Sequence, residues 1–546
     1  MPPSVKTVHS ECRHITRSIP DPEKPCFVIS CNRGEIANDT LRAAKEIMHP
    51  HVFTAVMHTV GDGQYGYCDQ AEYRICIGPD SFSEEQRKTG RAKTPYMDMP
   101  ILFTAFGNIR KHAERLFGKD NFRIGVHPGY GMLSEDAEFA RQVVEEGFIW
   151  IGPNHNTQAL MGPKDSARDL ATKSGLQCVP GIGDIKTLED AVAAHKKMIS
   201  DSPELTDRRF RLKNVSGGGG RGQIIFQGAA DLPGKFAAVQ EISRTLGWSS
   251  HFVMELNIEI SRHYELQLFR ELVFFGRECT LMRSSQKEIE ESLTPEGLRQ
   301  HDPAAAAELQ KMIAAAPKLA QLCGLDSVST LECIYDEQSQ KLYFLEMNTR
   351  IQVEHPVSNA ITGVDLLRSQ IMHAFGAPVE MAQNDVECRG HAIEARITNL
   401  DPYDPNYGPM GGKKITKYNP PERTDRIRHY GYLHAGNTLT SFDPMFAKVV
   451  GRGKDRMEAI EALFRGMSEF TVEGESFRHN IPHQLFVISH PKFINHTYNS
   501  ETMTEIRKLF LEKFTPFFDE RFGKENRYKS AIVAEAVNQF YGHHFH

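Results

Sequence analysis

The sequence predicts a multidomain protein of mixed α/β and α+β type, which opens with a doubly wound parallel sheet. Its 546 residues exceed one typical core, so about two to four domains are expected. Residues 26–151 alternate short apolar strands with helical patterns, which is typical of a parallel sheet covered by helices. From about residue 388 the pattern changes to short strands and turns, which indicates a separate mixed domain.

Composition and charge limit the class of protein. The chain is 40% hydrophobic and 25% charged, as ordinary globular proteins are. A formal net charge of -6 argues against bulk nucleic-acid binding, and no apolar run approaches the roughly 20 residues that span a bilayer. The ten cysteines include no Cys-x-x-Cys pair, and the polar N-terminus lacks the apolar segment of a secretory signal. We therefore expect a cytoplasmic protein with reduced thiols.

The first domain is expected to carry a ligand-binding turn at one edge of its sheet. Strands are predicted at residues 26–30, 52–56, 73–77, 123–126 and 148–151. The turn at residues 127–135 contains His-Pro-Gly-Tyr-Gly and directly follows one of these strands. Doubly wound sheets bind their ligands at this carboxyl edge.

A glycine run in the next domain predicts an anion-binding loop. The strand at 210–214 leads into Gly217, Gly218, Gly219 and Gly220, and a second strand follows. Consecutive glycines let several backbone N–H groups approach phosphate oxygens, and the neighbouring Lys213 would add charge. The spacing matches neither the P-loop nor the dinucleotide-binding pattern. A flexible linker is the alternative, which the flanking strands make less attractive.

Two acids on neighbouring strands predict a divalent metal site. Glu332 lies in the strand at 330–335 and Glu346 follows the strand at 341–345, with a short polar turn between them. Two such carboxylates suit Mg²⁺, which accepts one or two protein acids together with phosphate oxygens. Without a cation their repulsion would raise a pKa and weaken the fold.

The segment that follows Phe344 contains the densest set of polar residues. In an extended chain every second side chain points to one face. Such alternation would align five residues here: Glu346, Asn348, Arg350, Gln352 and Glu354. A folded domain would not normally bury two acids, two amides and a cation without a ligand. We interpret the segment as a site for a metal and a small anion, with a solvated strand edge as the alternative.

At these residues the chain resembles the biotin carboxylase family, the ATP-grasp subunits of biotin-dependent carboxylases. The resemblance spans roughly residues 26–495 and is carried by five motifs: residues 32–37 (Asn-Arg-Gly-Glu-Ile-Ala), 127–131, 216–222, 346–356 and 361–365. It implies MgATP-driven (or MnATP-driven) carboxylation of biotin by bicarbonate, through carboxyphosphate. It also implies an ATP-grasp fold with four regions: an N-terminal domain (26–151), an ATP-grasp domain (152–385, lid at about 180–260), a C-terminal domain (386–500) and an extension (501–546).

The resemblance also implies roles for individual residues. Lys164, Lys213 and the glycine run match phosphate-binding positions, and the nucleotide is further contacted at Glu255, Ile258 and His263. The metal ligands match Glu332, Glu346 and Asn348. The bicarbonate cradle matches Arg350, Gln352 and Val353, with Glu354 as the general base and Lys287 on the same anion. Biotin would meet Arg396, which stabilises its enolate, and Tyr96.

Some positions depart from the family pattern and concern the nucleotide and subunit contacts. The residues after Glu255 are Leu256 and Asn257 in place of the usual Lys-Tyr, and Met282 and Ser285 replace a glutamine and a histidine that contact the nucleotide. An arginine common in the dimer-forming region is Asp39 here. We expect altered ATP binding and a different assembly, with the bicarbonate chemistry intact.

The resemblance implies that biotin is supplied in trans. The chain has no Ala-Met-Lys-Met acceptor motif, so we expect a separate biotin carboxyl carrier protein, a separate carboxyltransferase subunit and a homo-oligomer, with no nucleic acid and no membrane span. The aromatic segment 509–518 would dock onto a partner or onto its own domain. Two further interpretations stay open: a non-catalytic assembly subunit, or an ATP-grasp ligase for another acid.

Overall fold

The first part of the chain forms a parallel sheet with helices on both faces. The structure, a computed structural model, describes residues 15–16, 19, 23–47, 51–88, 92–215, 222–408, 412–440 and 442–545. The elements of this part are β1 (Cys26–Ser30), α1 (Gly34–Lys45), β2 (Val52–Thr59), α2 (Gly66–Gln70), β3 (Tyr73–Gly78), α3 (Glu84–Lys88), α4 (Met99–Phe117), β4 (Arg123–His127), α5 (Ala137–Glu145) and β5 (Ile149–Trp150). Their order β3-β2-β1-β4-β5, parallel throughout, confirms the doubly wound sheet.

The region predicted as the lid forms a separate layer of four antiparallel strands backed by two helices. It follows α6 (His155–Met161) and α7 (Lys164–Ser174). Its elements are β6 (Gly181–Ile185), α8 (Leu188–Asp201), β7 (Arg209–Asn214), β8 (Gln223–Gln227), α9 (Gly228–Thr245) and β9 (Phe252–Leu256). The strands pair in the order β6-β9-β7-β8, and their apolar residues form a cluster that also includes Tyr343 of the eight-stranded central sheet. The predicted glycine loop at 217–220 lies between β7 and β8, outside the described residues.

The central part of the chain contributes five strands to a large antiparallel sheet. These strands are β10 (Ser261–Phe269), β11 (Leu272–Arg283), β12 (Gln286–Leu293), β13 (Val328–Asp336) and β14 (Lys341–Asn348). The helices of this part are α10 (Pro295–Arg299), α11 (Pro303–Cys323), α12 (His355–Thr362) and α13 (Leu366–Ala374). The other strands of the sheet are β15 (His391–Thr398), β17 (Ile427–Gly431) and β18 (Met445–Gly453), whereas β16 (Ile415–Asn419) pairs only with β19 (Thr471–Gly474).

One sheet therefore joins the predicted ATP-grasp and C-terminal domains. Its order is β14-β13-β10-β11-β12-β15-β18-β17, and the β12–β15 pair crosses the predicted boundary at residue 385. The boundary itself stays a prediction. Because functional residues lie on strands from both sides of it, the sheet sets their mutual spacing.

The C-terminal extension packs onto its own domain. The helices of this region are α14 (Arg456–Glu469), α15 (Ile481–Ile488), α16 (Pro491–Ile494), α17 (Thr502–Leu509), α18 (Thr515–Phe522) and α19 (Ser530–Tyr541). Phe510, Phe514 and Phe518 are fully buried against α15 and α19. A π-helical turn precedes Pro516, where the missing N–H cannot continue the α-helical ladder. Across the described residues, no helix is both long and apolar enough to cross a membrane.

The predicted extended run after Phe344 is wrong beyond Asn348. Strand β14 ends there, the chain turns, and Glu354 precedes the first residue of α12. Pro356 favours a helix start at this point, because its missing N–H needs no partner in the first turn. The polar residues still converge, but through a turn instead of one strand face.

Candidate active site

Lys287 lies at the centre of a buried acidic cluster. It projects from β12, and its ammonium contacts Glu265 at 2.5 Å, Glu332 at 3.1 Å and Glu354 at 2.7 Å. The three carboxylates are buried. Burial lowers the pKa of Lys287, but Glu265 and Glu354 outweigh it and raise this pKa well above its usual range. Lys287 is therefore a fixed cation that holds three acids together.

Arg277 also binds this cluster, and it was not among the site residues predicted from the sequence. It is fully buried on β11, donates to Glu265 at 2.5 Å and reaches Gln352 at 3.1 Å. Further bonds go to Gln267, Thr330 and Ser358. The available signal was an arginine directly after the apolar run at residues 272–276, but its partners come from distant segments. Arg277 ties the strand that carries Glu265 to the turn that carries Gln352.

The two predicted metal ligands lie opposite each other. Glu332 and Glu346 are register partners on β13 and β14, as predicted. Glu332 accepts bonds from Asn348 at 2.8 Å and Gln352 at 2.5 Å. Burial and the Glu332 charge raise the pKa of the more exposed Glu346 carboxyl. A divalent cation would relieve this repulsion, and the carboxylate and amide oxygens fit Mg²⁺ or Mn²⁺.

His263 adds a cation beside the same acids. Its Nε2 lies 2.9 Å from Glu332. Burial lowers the pKa of His263, but the Glu332 charge and further contacts raise it to about 9. His263 and Lys287 thus approach Glu332 from two strands, and a bound metal would share this carboxylate with them.

The turn after β14 presents the predicted anion cradle. Arg350 donates to Asn348 at 3.0 Å and to Glu135 at 2.9 Å. Glu135 lies in the predicted carboxyl-edge turn of the first domain, so two domains meet at this arginine. The carbonyl of Val353 accepts a bond from buried Lys448 at 2.7 Å. These contacts fix the turn that carries the predicted base Glu354.

Glu354 lies between two cations. One oxygen accepts from Lys287 and the other from Arg396, whose Nη2 is 3.1 Å away. Burial raises the pKa of Glu354, but Lys287 outweighs it and the net pKa lies below its usual range. Arg396 also donates to Glu290 at 2.5 Å. The geometry thus places an ionised carboxylate beside the predicted enolate-stabilising arginine.

The predicted nucleotide residues are divided between the lid and the body. Lys213 and Glu255 form an ion pair on adjacent lid strands, and Arg168 lies 3.5 Å from the same carboxylate. Ile258 packs against the lid core. Lys164 begins α7 and is exposed. No nucleotide contact is fixed by these positions, so their roles remain predictions.

The departing residues have structural partners of their own. Leu256 is buried in the lid core, and Asn257 accepts two bonds from Arg211, at 3.1 and 2.7 Å. Ser285 occupies the β11–β12 turn with a positive φ of 65°. Asp39 lies 3.2 Å from the ring of His355, which directly follows the predicted base Glu354. Helix α1 is thereby linked to the turn that carries Glu354.

Tyr96 does not lie in the Lys287 cluster. It is buried, and its hydroxyl donates to Asp62 at 2.8 Å, which also binds Arg33 at 2.7 Å. The adjacent Thr94 and Met97 line a cavity of about 670 Å³ between the first and C-terminal domains. Contact of Tyr96 with biotin therefore stays a prediction.

Comparison with known protein families identifies three consecutive regions. The carbamoyl-phosphate synthase L chain ATP-binding domain matches residues 163–382. The biotin carboxylase C-terminal domain matches residues 394–505, and its N-terminal domain matches residues 116–158. Biotin carboxylase 1 of Bacillus subtilis is 32% identical over 485 residues, which cover 87% of this chain and 97% of that protein. This chain belongs to the biotin carboxylase family.

Other family members agree in sequence and in fold. The Haemophilus influenzae biotin carboxylase is 32% identical and covers 84% of this chain and 94% of its own. The structure of the Campylobacter jejuni biotin carboxylase complex has a TM-score of 0.71 at 27% identity, covering 88% of this chain and 98% of that one. The biotin carboxylase domain of Hydrogenobacter thermophilus 2-oxoglutarate carboxylase, in complex with MgADP, ADP and bicarbonate, has a TM-score of 0.69 at 26% identity and covers 89% and 98%. The predicted ATP-grasp fold is thereby confirmed.

Proposed function

We propose that this chain catalyses the ATP-dependent carboxylation of biotin by bicarbonate. The observation that supports it best is Glu354, held between Lys287 at 2.7 Å and Arg396 at 3.1 Å. One carboxylate thus adjoins both the cation expected on bicarbonate and the cation expected on biotin. Family membership supports the same assignment.

Glu354 would act as the general base. Bicarbonate is a poor nucleophile until it loses its proton, and an ionised carboxylate can accept that proton within hydrogen-bond distance. The low pKa of Glu354 keeps it ionised near neutral pH. Arg350 and the amide of Gln352 would orient the anion, since a guanidinium fork fits a planar carboxylate-like group. The deprotonated oxygen would attack the γ-phosphorus of ATP, with ADP leaving and carboxyphosphate forming.

The phosphate groups would be held mainly by charge. Lys164, Lys213 and the glycine run would neutralise and position the phosphates, as phosphoryl transfer requires. Glu332, Glu346 and Asn348 would hold Mg²⁺ or Mn²⁺, which offsets the negative charge of the phosphates when bound. Lid closure over ATP would exclude water.

Arg396 would serve the second step, transfer of the carboxyl group to biotin. Removal of the ureido N–H proton develops negative charge on the ureido oxygen, and a fixed cation lowers the energy of that state. The carboxyl carbon then forms its bond to the ureido nitrogen as its bond to the phosphate oxygen breaks, and the departing phosphate takes up the proton that the nitrogen loses. Buried Tyr96 would act near biotin by supporting Thr94 and Met97, which line the cavity beside it.

The decisive experiment measures ATP hydrolysis by the purified chain with Mg²⁺ and bicarbonate, with and without free biotin. We expect bicarbonate-dependent turnover that biotin increases. Glu354→Gln should lower it by about 100-fold or more, because a positioned base contributes this much. The control is Glu145→Gln, an exposed residue of α5, which should behave as wild type. Turnover that ignores bicarbonate would favour an ATP-grasp ligase for another acid.

A non-catalytic assembly subunit is the second candidate. The partners found for Leu256 and Asn257 support altered nucleotide contacts, whereas the intact acids and base oppose this alternative. A calorimetric titration of the chain with MgATP distinguishes the enzyme from the assembly subunit. An enzyme should bind MgATP, while the assembly subunit should give no heat.

The biotin carboxylase family acts together with a biotin carrier and a carboxyltransferase. We propose that both are separate proteins for this chain and that the chain forms a homo-oligomer. We also propose a cytoplasmic location, which the free thiols of the described cysteines support. Size-exclusion chromatography with light scattering, with and without a biotinylated carrier, tests the assembly.

A further inference from the structure

Two buried glutamates lie behind Arg396, and the proposed mechanism does not use them. Glu290 on β12 and Glu394 on β15 are direct register partners, and both are fully buried. Directly opposite residues of antiparallel strands share one face, with Cβ atoms about 5 Å apart. The two side chains therefore lie next to each other on one buried face of the sheet.

Most of their oxygens lack a hydrogen bond. Glu290 Oε1 accepts from Arg396 at 2.5 Å. Among the described residues, Glu290 Oε2 and both oxygens of Glu394 find no partner. A buried, unpaired carboxylate is costly. A proton on one of the two groups turns it into a donor toward the other, which removes part of this cost.

The surrounding charges do not compensate two ionised carboxylates. The charged and titratable groups that face the pair are Cys279, Lys287, Glu354, Arg396 and Lys448. Lys448 is engaged by Glu35 at 3.1 Å and by a backbone carbonyl. Lys287 is engaged by the acidic cluster. Within the described chain, Arg396 is thus the one cation that hydrogen-bonds to the pair, and it is shared with Glu354.

We propose that Glu290 and Glu394 share one proton and that this singly charged pair positions Arg396 for the reaction with biotin. The inference rests on the proposed function, in which Arg396 faces the developing ureido anion. A single charge behind the guanidinium balances the Glu354 charge in front of it. Loss of the shared proton would draw Arg396 away from Glu354 and place a second negative charge near the ureido anion.

The acidities of the two groups agree with a shared proton. Burial raises the pKa of Glu290 to about 7, although Arg396 opposes the change. Burial also raises the pKa of Glu394 well above its usual range, with Lys448 opposing it and Glu290 adding to it. Two buried carboxyl groups on directly opposite residues cannot both ionise readily, as in other carboxyl pairs that hold one proton.

The test is the pH profile of kcat/KM for free biotin in the full chain. In the wild type this value should fall as rising pH removes the shared proton. Glu394→Gln keeps an uncharged group of the same shape, so the fall should disappear or move upward by at least about one pH unit. Glu290→Gln should lower kcat/KM at least about tenfold at every pH, because Arg396 loses its anchor. The control is Glu288→Gln on the same strand, whose partner is Arg283 at 2.9 Å; it should keep the wild-type profile.

The possible outcomes distinguish failure of the proposed function from failure of the shared-proton proposal. Bicarbonate-dependent ATP hydrolysis without biotin reports the proposed function independently, and its absence in the wild type would refute that function and this inference with it. Normal hydrolysis with superimposable biotin profiles in all variants would refute the shared proton alone. If the variants do not fold, an infrared pH titration of the native chain still decides. A protonated-carboxyl band that disappears toward alkaline pH supports the pair, and its absence at neutral pH overturns it.

Discussion

Replacing Arg277 with methionine should destabilise the central sheet far more than an ordinary charge substitution. The guanidinium is fully buried and binds Glu265 at 2.5 Å, together with four neutral side chains. Methionine fills much of the same volume but cannot donate a hydrogen bond. Glu265 would then keep only Lys287 as a strong cationic partner.

The magnitude follows from the buried pair. Removing one partner of a buried ion pair costs about 3–5 kcal/mol, because the remaining charge loses its compensation. The neutral side chains can turn toward other partners and so add little, while Lys287 recovers part of the loss for Glu265. We therefore expect the free energy of unfolding to fall by about 4 kcal/mol. At about 2–4 °C per kcal/mol for a large domain, Tm should fall by about 8–16 °C.

Differential scanning calorimetry measures this shift, with Arg244→Met on the exposed face of the lid helix as the control that should leave Tm unchanged. The double variant Glu265→Gln with Arg277→Met tests the cause. Removing the orphaned charge should restore about half of the lost Tm, since a buried charge without its partner carries most of the cost. A fall below about 3 °C in Arg277→Met, or no recovery in the double variant, would refute the reasoning.

Three further predictions concern pH, the C-terminal extension and the metal. Thermal stability should fall between about pH 6.5 and 4, because several buried neutral histidines gain protons only on unfolding; a flat dependence of Tm on pH would contradict this. Burial lowers the pKa of these histidines to about 4 for His127, His429 and His479 and to about 3 for His483. Deleting residues 502–546 should uncover the apolar face of α15 and abolish soluble expression; a soluble monomer with normal Tm would argue against it. Mg²⁺ or Mn²⁺ should raise Tm in the presence of ATP, and Glu346→Gln should reduce that increase; equal increases in both proteins would exclude Glu346 as a ligand.

Local pattern was sufficient to predict the pairing of Glu332 with Glu346 and the general architecture. Glu332 and Glu346 lie on consecutive strands joined by a short turn, so their pairing follows from the chain itself. The alternating strands and helices of the first domain likewise predicted its parallel sheet. The aromatic residues of the extension were compatible with two outcomes, and burial on its own domain is the one observed.

Other parts of the site depend on pairings between distant strands. Nothing near Arg277 indicates that β11 would lie beside Glu265 and below Gln352. The pairing of Glu290 and Glu394 depends on the β12–β15 pair, which joins segments about a hundred residues apart. The turn after Asn348 was missed because polar alternation was taken for a continuing strand, while Pro356 favours an early helix start.

The eight-stranded sheet holds two cations of the candidate site at a fixed spacing, and the strands of the predicted lid belong to a different sheet. Lys287 and Arg396 lie on adjacent strands of one hydrogen-bonded ladder, and adjacent strands are about 4.8 Å apart. The predicted lid has a four-stranded sheet of its own, and its apolar cluster meets the central sheet at Tyr343 and Ile334. A lid movement of the kind proposed above would therefore leave the spacing between Lys287 and Arg396 unchanged. The central sheet thus fixes the spacing of the two cations, and the predicted lid lies outside that sheet.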